Sequence, residues 1–315
     1  MEKYRYNKLN EYLKNKFGER TLKICIDGGF TCPNRNGTSG FGGCIFCGEK
    51  GSGEHINPAG NLNSINQISQ SIHNQVINYF NSYKATRANK FIAYFQNFTN
   101  TYDTIENLKI KYDSALIDNR IVVLDIATRP DCITEEIAKF ISSYKNKLDV
   151  WVELGLQTSN NLTGKLINRG YDSDIFTNAV SILNKYNIDV ITHLMVGLPN
   201  ESLDDIKNTV NFINSHNIQG LKIHSTYVTK NTSLANMYYN GDYIPLKIED
   251  YFEAVGYVLT HITPNIIIHK LSGDAPKDLL IAPDWNKHKK WIMNGIDKYL
   301  KENNLWQGKY FKSIY

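Results

Sequence analysis

Apolar runs rich in β-forming residues alternate with helical stretches along this chain of 315 residues. Most of the runs are continuous rather than alternating, which is typical of parallel strands buried on both faces. The predicted strands are residues 21–26, 91–95, 121–127, 149–156, 189–198 and 221–228. The predicted helices between them are residues 62–83, 102–117, 133–146, 172–187 and 202–216. Six β/α units in succession predict an α/β fold, a partial (β/α)6 TIM-type barrel of parallel strands with N- and C-terminal extensions.

We predict that three segments form one domain. They are a basic N-terminal extension (1–20), the partial barrel (21–230) and a C-terminal elaboration that closes the barrel (231–315). The last segment contains a predicted helix at 247–262, a short strand at 266–269 and a helix at 286–303. In such folds ligands bind at the carboxyl ends of the strands, so polar residues at those ends are candidate site residues.

Composition argues against a membrane protein and against a disulfide framework. No apolar run approaches the roughly 20 residues that a membrane span needs. The N-terminus is charged and aromatic and lacks an apolar signal core. Five cysteines, an odd number, favour a reducing compartment and a metal over disulfides. We therefore expect a cytoplasmic protein.

The net charge of +4 conceals an asymmetry along the chain. Residues 1–23 hold seven Lys and Arg against three Glu, and residues 286–315 hold seven Lys against one Asp and one Glu, which gives +4 and +5. Both ends are also rich in aromatic residues. They are either a surface for an RNA backbone or ordinary solvated helix faces.

Three cysteines lie in one glycine-rich segment, GFTCPNRNGTSGFGGCIFCGEKGSG, with the spacing Cys32-x11-Cys44-x2-Cys47. Three thiolates on one loop can hold three irons of a four-iron cluster and leave the fourth iron open. The alternative is a structural zinc site with Cys25 as the fourth ligand. Against zinc, Cys25 and Cys32 are not a close pair, and Cys25 lies inside a predicted strand as a small hydrophobe. We expect Cys132 to be a buried structural thiol.

The cysteine segment, predicted to form a cluster loop over 28–54, closely resembles that of radical S-adenosylmethionine (SAM) enzymes. Its long first gap resembles the catalytic subunit of Elongator and, more closely, the YtqA/YhcC-type radical SAM proteins. The resemblance runs from RYNKLNEYLKNKFG near the start to HKLSGDAPKDLLIAP near the end. It implies that Cys32, Cys44 and Cys47 bind a [4Fe–4S] cluster, and that SAM chelates the open iron and is cleaved to a 5′-deoxyadenosyl radical.

The same resemblance implies a set of cofactor contacts. Phe46 would lie beside the adenine, and Gln96 and Asn97 would receive the methionine amino group. Arg129, in the run TRPD, would pair with a carboxylate or phosphate.

Further along the chain, Glu153 and Gln157 would contact the ribose or SAM, and Gly197 would belong to the adenine-binding backbone. Each of these residues also has an interpretation without a cofactor. It is packing or a surface turn at most positions and, for Glu153, an ion pair with a neighbouring strand.

The sixth strand supplies the candidate catalytic residues Lys222, His224 and Tyr227. By alternation Lys222 and His224 share one face, which we predict to be the barrel lumen, where Lys222 could reach the SAM carboxylate or a substrate phosphate. Tyr227 and Cys132 are candidates for quenching the substrate radical. We interpret His193 as a strand-core histidine, and a turn carrying Asp274 as a closure over the barrel mouth.

The resemblance to YtqA-type proteins implies a reaction on the wobble uridine of tRNA, the conversion of 5-carboxymethylaminomethyluridine to 5-aminomethyluridine. It also implies a tRNA substrate and an electron donor such as flavodoxin or ferredoxin. Two alternatives stay open, a radical SAM enzyme that acts on a small molecule and a zinc-containing nucleic-acid-binding protein.

Overall fold

A computed structural model describes residues 4–48, 51, 62 and 64–312 of the chain. The end of the predicted cluster loop (residues 49, 50 and 52–54), residue 63 of the first predicted helix and both extreme termini lie outside the described residues. Within the described part of the chain, no helix combines the length and the hydrophobicity needed to cross a membrane.

A curled sheet of parallel strands forms the centre of the molecule. Its seven strands run in the order β1-β2-β3-β4-β5-β6-β8, and every neighbouring pair is parallel. A separate antiparallel pair, β7 and β9, lies beside it. The strands of the described residues are β1 Thr21–Ile26, β2 Lys90–Phe95, β3 Ile121–Thr128, β4 Asp149–Gln157, β5 Asp189–Val196, β6 Gly220–Ser225, β7 Val228–Thr229, β8 Ile267–Lys270 and β9 Leu280–Ala282.

Helices connect the strands, and most of them cover the outer face of the sheet. They are α1 Leu9–Phe17, α2 Ile65–Phe80, α3 Ile105–Ala115, α4 Glu135–Ser142, α5 Asn161–Leu166, α6 Ser173–Lys185, α7 Leu203–Asn214, α8 Ser233–Asn240, α9 Ile248–His261 and α10 Lys289–Glu302. Short 3-10 turns occupy Ala85–Arg87, Pro130–Cys132, Ser143–Asn146 and Asp284–Lys287. Several helices begin at a side-chain cap, as at Thr104 and Thr134, whose hydroxyls accept a backbone N–H of the first turn.

The sheet has two different faces because strand side chains alternate. On the outer face Ile24, Phe95 and Val152 pack against the helices in the large hydrophobic core. On the inner face Tyr94 and Trp151 belong to a second core that also includes Leu13 of α1. Helix α1 contacts both β1 and β8, the two edge strands. The chain is thus a half-barrel whose lumen is partly covered by its own N-terminal helix.

The predicted α/β half-barrel of parallel strands is confirmed, with differences at its end. The predicted strand 221–228 is two strands, because the chain leaves the sheet after Ser225 and β7 pairs with β9 instead. The short strand predicted at 266–269 is observed as β8 and pairs with β6 as the seventh strand. Helices α1, α5 and α8 were not predicted, and each of them is shorter than ten residues.

Candidate functional site

A cavity lies at the carboxyl ends of β2 to β6, beneath the cysteine loop. Its wall brings together residues from eight separate stretches of the chain. The lining residues are Cys32, Arg35, Gly43, Cys44, Phe46, Cys47, Gly48, Gly51, Gln96, Phe98, Thr99, Ala127, Thr128, Arg129, Glu153, Gly155, Gln157, Tyr171, His193, Met195, His224, Ser225, Tyr227, Thr229, Asp274 and Pro276. This is the edge where parallel α/β folds bind ligands.

The cysteine loop is held by backbone hydrogen bonds on two sides. The Ile45 N–H donates to the carbonyl of Ile167 (3.1 Å), and the Leu234 N–H of α8 donates to the carbonyl of Ile45 (2.9 Å). Within the loop, the Cys47 N–H donates to the carbonyl of Cys44 (3.0 Å), which closes a tight turn. Gly43 has φ +78°, a conformation that glycine adopts at little cost. The loop is therefore anchored to the barrel rather than free at its rim.

Two of the thiols are in direct contact. A hydrogen bond from the Cys47 thiol lowers the pKa of Cys44 to about 7, and the guanidiniums of Arg129 and Arg169 act in the same direction. The Cys44 Sγ also lies 3.8 Å from Nδ2 of Asn34. The same contact with Cys44 holds the pKa of Cys47 well above its usual range. The environment of Cys44 therefore favours a thiolate, which is the form that binds metals.

Arg129 and Arg169 flank the ring of Tyr171, each with its guanidinium carbon 4.8 Å from the ring centroid. Arg129 makes a two-pronged ion pair with Asp131, Nε to Oδ1 at 2.9 Å and Nη2 to Oδ2 at 2.8 Å, and its Nη1 donates to the Arg169 carbonyl. The Tyr171 hydroxyl donates to the carbonyl of Gly155 at 2.6 Å. Arg129 thus lies in the cavity wall with three of its donors engaged within the protein, two of them by Asp131.

Glu153 lies at the floor of the cavity and is fully buried. Its Oε2 accepts hydrogen bonds from the Tyr94 hydroxyl (2.8 Å) and the Lys222 ammonium (2.5 Å), and it lies 2.9 Å from Nε2 of His193. Its Oε1 accepts from Lys23 (3.3 Å). Burial by itself would raise the pKa of Glu153, but Lys222 and Lys23 hold it well below the usual range. The carboxylate is therefore charged.

Burial also shifts the pKa values of the groups around Glu153 in the lumen. Desolvation lowers the pKa of Lys222 to about 8, although Glu153 opposes that shift. His224, whose ring centroid lies 5.0 Å from that of His193, has a pKa well below its usual range because of burial and of Lys270. Burial raises the pKa of Asp125 to about 7, and the nearby Glu153 carboxylate acts in the same direction. Burial also lowers the pKa of His193, although Glu153 opposes that shift. Both histidines of the cavity wall therefore favour the neutral form, above a network of buried charges.

Comparison with known protein families agrees with this architecture. Residues 32–213 match the model of the Radical SAM superfamily, and residues 218–302 match the Radical_SAM C-terminal domain. The first match begins at Cys32 and ends in α7, so it spans more than half of the chain. The chain belongs to the radical SAM superfamily.

Relatives cover almost the whole of this radical SAM protein. It is 36% identical to "Uncharacterized protein YtqA" of Bacillus subtilis over 98% of this chain and 94% of that protein. It is 32% identical to "Protein YhcC" of Escherichia coli over 93% of this chain and 91% of that protein. The resemblance to YtqA/YhcC-type proteins inferred from the cysteine segment is therefore confirmed.

More distant similarities are partial. The tRNA uridine(34) acetyltransferase of Methanocaldococcus infernus is 28% identical over 52% of this chain and 30% of that protein. The solved structure of M. infernus Elp3, lacking residues 1–46, superposes with a TM-score of 0.68 at 20% identity, over 91% of this chain and 64% of that chain. That structural similarity supports the half-barrel fold.

Membership of the radical SAM superfamily implies SAM and an iron–sulfur cluster, and the donor set fits both. Cys32, Cys44 and Cys47 all line the cavity, and the charge around Cys44 favours a thiolate. Across residues 4–48, 51, 62 and 64–312, no three His, Cys, Asp or Glu side chains converge on a point where one ion could bind. A cluster needs one thiolate for each ligated iron, whereas a structural zinc ion needs all its ligands around one point. Cys25, the fourth ligand that a zinc site would need, lies outside the cavity lining, which favours a cluster over zinc.

The two remaining cysteines lie outside the cavity lining. Cys25 is exposed on the inner face of edge strand β1 and is not packed as the small hydrophobe that its place in a strand predicted. An edge strand of a half-barrel has no neighbour on one side, which explains the exposure. Cys132 is half-buried at the end of a 3-10 turn, and burial raises its pKa to about 12.

The structure brings most of the predicted site residues to one cavity. Those that line it are Cys32, Cys44, Phe46, Cys47, Gln96, Arg129, Glu153, Gln157, His224 and Tyr227. Lys222 lies beneath the lining as the partner of Glu153, so the ion pair foreseen as the alternative for Glu153 is present. Asn97 is buried behind the cavity wall. Gly197, with φ +87°, also lies outside the lining, and its carbonyl accepts a hydrogen bond from the Tyr243 hydroxyl (2.7 Å).

Several lining residues were missed or discounted by sequence reasoning. His193 was interpreted as a core histidine, yet it both lines the cavity and contacts Glu153. Tyr171 lies beyond α5 and carries no motif, so its place beside Gly155 follows only from the fold.

Phe98 adopts φ +58°, which is unusual for an aromatic residue, and stacks under Arg35 (5.4 Å). A strained residue at a strand end is a signal of a site, but it is visible only in the backbone.

Proposed function

We propose that this radical SAM enzyme binds a [4Fe–4S] cluster through Cys32, Cys44 and Cys47 and modifies the wobble uridine of tRNA. The proposed reaction converts 5-carboxymethylaminomethyluridine to 5-aminomethyluridine. The bond between the amino nitrogen and the carboxymethyl carbon breaks, and the carboxymethyl group leaves as a two-carbon carboxylic acid. When bound, the cluster supplies the electron that cleaves SAM to methionine and a 5′-deoxyadenosyl radical, which abstracts hydrogen from a substrate carbon. The observation that carries the proposal is that the three thiols line the same cavity as polar residues from the ends of five strands.

The chain's own residues bind and orient SAM in this proposal. Phe46 follows Ile45 in the anchored part of the loop and offers a flat apolar surface to the adenine. Gln96 and Gln157 present amide groups to the amino acid and ribose parts of SAM. Glu153, held charged by Lys222 and Lys23, is an acceptor for hydroxyl groups at the cavity floor. These residues bind and orient SAM, and the cofactor supplies the radical chemistry.

Two groups on β6 and its continuation are proposed to face the substrate. His224 and Tyr227 both line the cavity, and the Tyr227 hydroxyl lies 3.4 Å from the carbonyl of Asp274 in the loop above it. Tyr227 is our candidate for the final hydrogen transfer, because the half-buried Cys132 is not a lining residue. An electron donor such as flavodoxin or ferredoxin completes the proposed system.

Support for tRNA comes from the relatives and from charge. A tRNA uridine(34) acetyltransferase aligns with about half of this chain, and by its name that protein acts on uridine 34 of tRNA. The YtqA-type resemblance adds the specific reaction. Basic residues at both chain ends suit a polyanionic substrate.

Mass spectrometry of tRNA nucleosides from cells that lack the gene tests this function. We expect 5-carboxymethylaminomethyluridine to accumulate at the expense of the aminomethyl form. Complementation with the wild-type gene or with Cys25→Ser should restore the product, and Cys44→Ser should not. Unchanged nucleoside levels in the deletion strain would show that the proposed reaction is wrong.

A further inference from the structure

The solvent face of α10 carries lysines and an exposed tryptophan in one band. At 100° per residue, Lys290, Trp291, Lys298 and Lys301 fall within an arc of about 100°. All four are exposed. The opposite side of the helix is buried in the large core through Ile292, Ile296 and Leu300. We call the exposed band, with Trp306 and Tyr310 just beyond the end of the helix, the α10 stripe.

Large aromatic rings remain in solvent along the α10 stripe. Trp291 is 65% exposed, and its ring stacks on His288 with centroids 4.3 Å apart and planes 23° from parallel. Trp306 and Tyr310 are 42% and 47% exposed, and Lys309 Nζ lies 4.8 Å and 5.1 Å from their ring centroids. Exposed aromatic rings next to lysines are the elements on which proteins stack the bases of unpaired RNA while holding its phosphates.

The α10 stripe begins at the mouth of the cavity. Lys289, in the first turn of α10, pairs with Asp274 (2.7 Å), and Asp274 is itself a lining residue of the cavity. Lys270 pairs with the same carboxylate (2.8 Å). The helix extends for about 21 Å from that point, since each of its 14 residues adds about 1.5 Å. A ligand lying along the stripe therefore reaches the cavity at one end.

At its other end the α10 stripe meets the basic N-terminal segment. The Gln307 N–H donates to the carbonyl of Arg5 (2.8 Å), and Arg5 Nη1 donates to the carbonyl of Leu305 (2.9 Å). The two basic ends, separated by nearly the whole sequence, thus form one surface. Two acids of this surface are paired, Asp297 with Lys8 (3.3 Å) and Glu302 with Lys298 (3.7 Å). The pair of Lys298 is long and solvent-exposed, and such pairs are weak, so a phosphate can replace Glu302 as the partner of Lys298.

We propose that the α10 stripe is the docking surface for the RNA substrate, an inference that rests on the proposed tRNA function. The lysines of the stripe contact the phosphate backbone of the stem. The Trp291–His288 stack, next to the cavity mouth, receives an unpaired base of the loop. The stripe thereby orients the RNA so that the loop carrying the target nucleoside faces the cavity.

Binding of an unmodified tRNA transcript to the full-length reconstituted protein tests this surface by fluorescence anisotropy at several salt concentrations. We expect the triple variant Lys290→Ala, Lys298→Ala, Lys301→Ala to bind at least tenfold more weakly. The slope of log K against log salt should fall in magnitude by about 2 to 3, since three phosphate contacts are lost. Trp291→Ala should weaken binding by about tenfold with little change in slope, because it removes stacking.

The matched control is a triple variant of three exposed lysines that lie away from α10, on α3, on α4 and just after the 3-10 turn Ser143–Asn146. These are Lys109→Ala, Lys139→Ala and Lys147→Ala, and the control should bind tRNA as the wild type does. SAM cleavage without RNA should be unchanged in the stripe variants. If the wild type binds tRNA but the stripe variants bind equally well, or if the control triple loses as much affinity, the docking surface is wrong and the function stands. If the wild type binds tRNA no better than poly-L-glutamate, both proposals fall.

Discussion

Lys222 on β6 and Glu153 on β4 form an ion pair inside the half-barrel, with Nζ 2.5 Å from Oε2 and both side chains buried. The strand between them contributes His193, which contacts the same oxygen. Glu153 is in addition part of the cavity lining, whereas Lys222 lies below it. The floor of the site is therefore rigid because a buried network of charges holds it, and several consequences can be measured.

Lys222→Met should destabilise the protein by about 3 kcal/mol, because it leaves part of the Glu153 charge uncompensated in the interior. Lys23 remains 3.3 Å from the other carboxylate oxygen and limits the loss. The measurement is the free energy of unfolding in urea. The double variant Lys222→Met, Glu153→Leu should be less destabilised than the single one, since it removes both charges together.

The control for that experiment is Lys109→Ala, which breaks the exposed pair of Lys109 with Asp113. Its cost should be no more than about 0.5 kcal/mol, as for surface ion pairs on helices. Equal losses for Lys109→Ala and Lys222→Met would contradict the structural importance of the buried network.

Stability should fall as the pH rises from about 4 to about 7 through the contribution of Asp125. Burial raises the pKa of this carboxyl to about 7 in the folded protein, and Glu153 acts in the same direction, while the Lys23 ammonium, 2.6 Å from its Oδ2, opposes the shift. The pKa of an aspartate in the unfolded chain is about 3.9. Between these two pKa values the folded state holds a proton that the unfolded state has lost. The stabilising contribution of Asp125 is therefore complete below about pH 4 and disappears as the pH rises to about 7. The slope is at most about 1.4 kcal/mol per pH unit.

Asp125→Asn removes this titration, and its unfolding free energy should decline less than that of the wild type over the same range. The comparison reports on the titration of Asp125 together with the charges of Glu153, Lys23 and Lys222 that interact with it. Identical slopes in urea titrations at pH 4, 5.5 and 7 would show that Asp125 ionises normally in the folded state.

Serine at position 32, 44 or 47 should abolish the iron-dependent visible absorption of anaerobically reconstituted protein, because each replacement removes one thiolate from the cavity wall. Cys25→Ser is the matched control, since Cys25 is exposed and outside the lining. It should keep the iron and sulfide content of the wild type. Loss of iron from Cys25→Ser alone would exclude the three-cysteine assignment.

Gly155→Ala should weaken SAM binding by displacing Gln157. A Cβ at residue 155 would lie 2.5 Å from Nε2 of Gln157, too close for the amide to stay in place. Gln157→Ala removes the same amide without crowding. Each variant should raise the SAM dissociation constant by about three- to tenfold, the value of one hydrogen bond, as measured by isothermal titration calorimetry. Unchanged affinity in both variants would remove Gln157 from the SAM site.

The positions of most elements were predictable from local patterns. The continuous apolar runs around Ile24, Val123 and Val190 correctly indicated parallel strands, because buried strands need apolar residues on both faces. The short helices α5 and α8 were not predictable, since six to eight residues carry too little periodicity. Most candidate site residues also line the cavity, because strand ends meet at one edge whatever the details of packing.

The sequence by itself determined the half-barrel, the spacing of the three cysteines and the presence of polar residues at the strand ends, since these depend on local composition and order. Only the tertiary structure decided their relations. In the folded protein Lys222 pairs with Glu153 instead of lining the cavity, and Cys25 is exposed at a sheet edge. The fold also joined residue 5 to residue 305 and so united the two basic ends. These are contacts between residues far apart in the chain, and they follow from how the strands and helices pack.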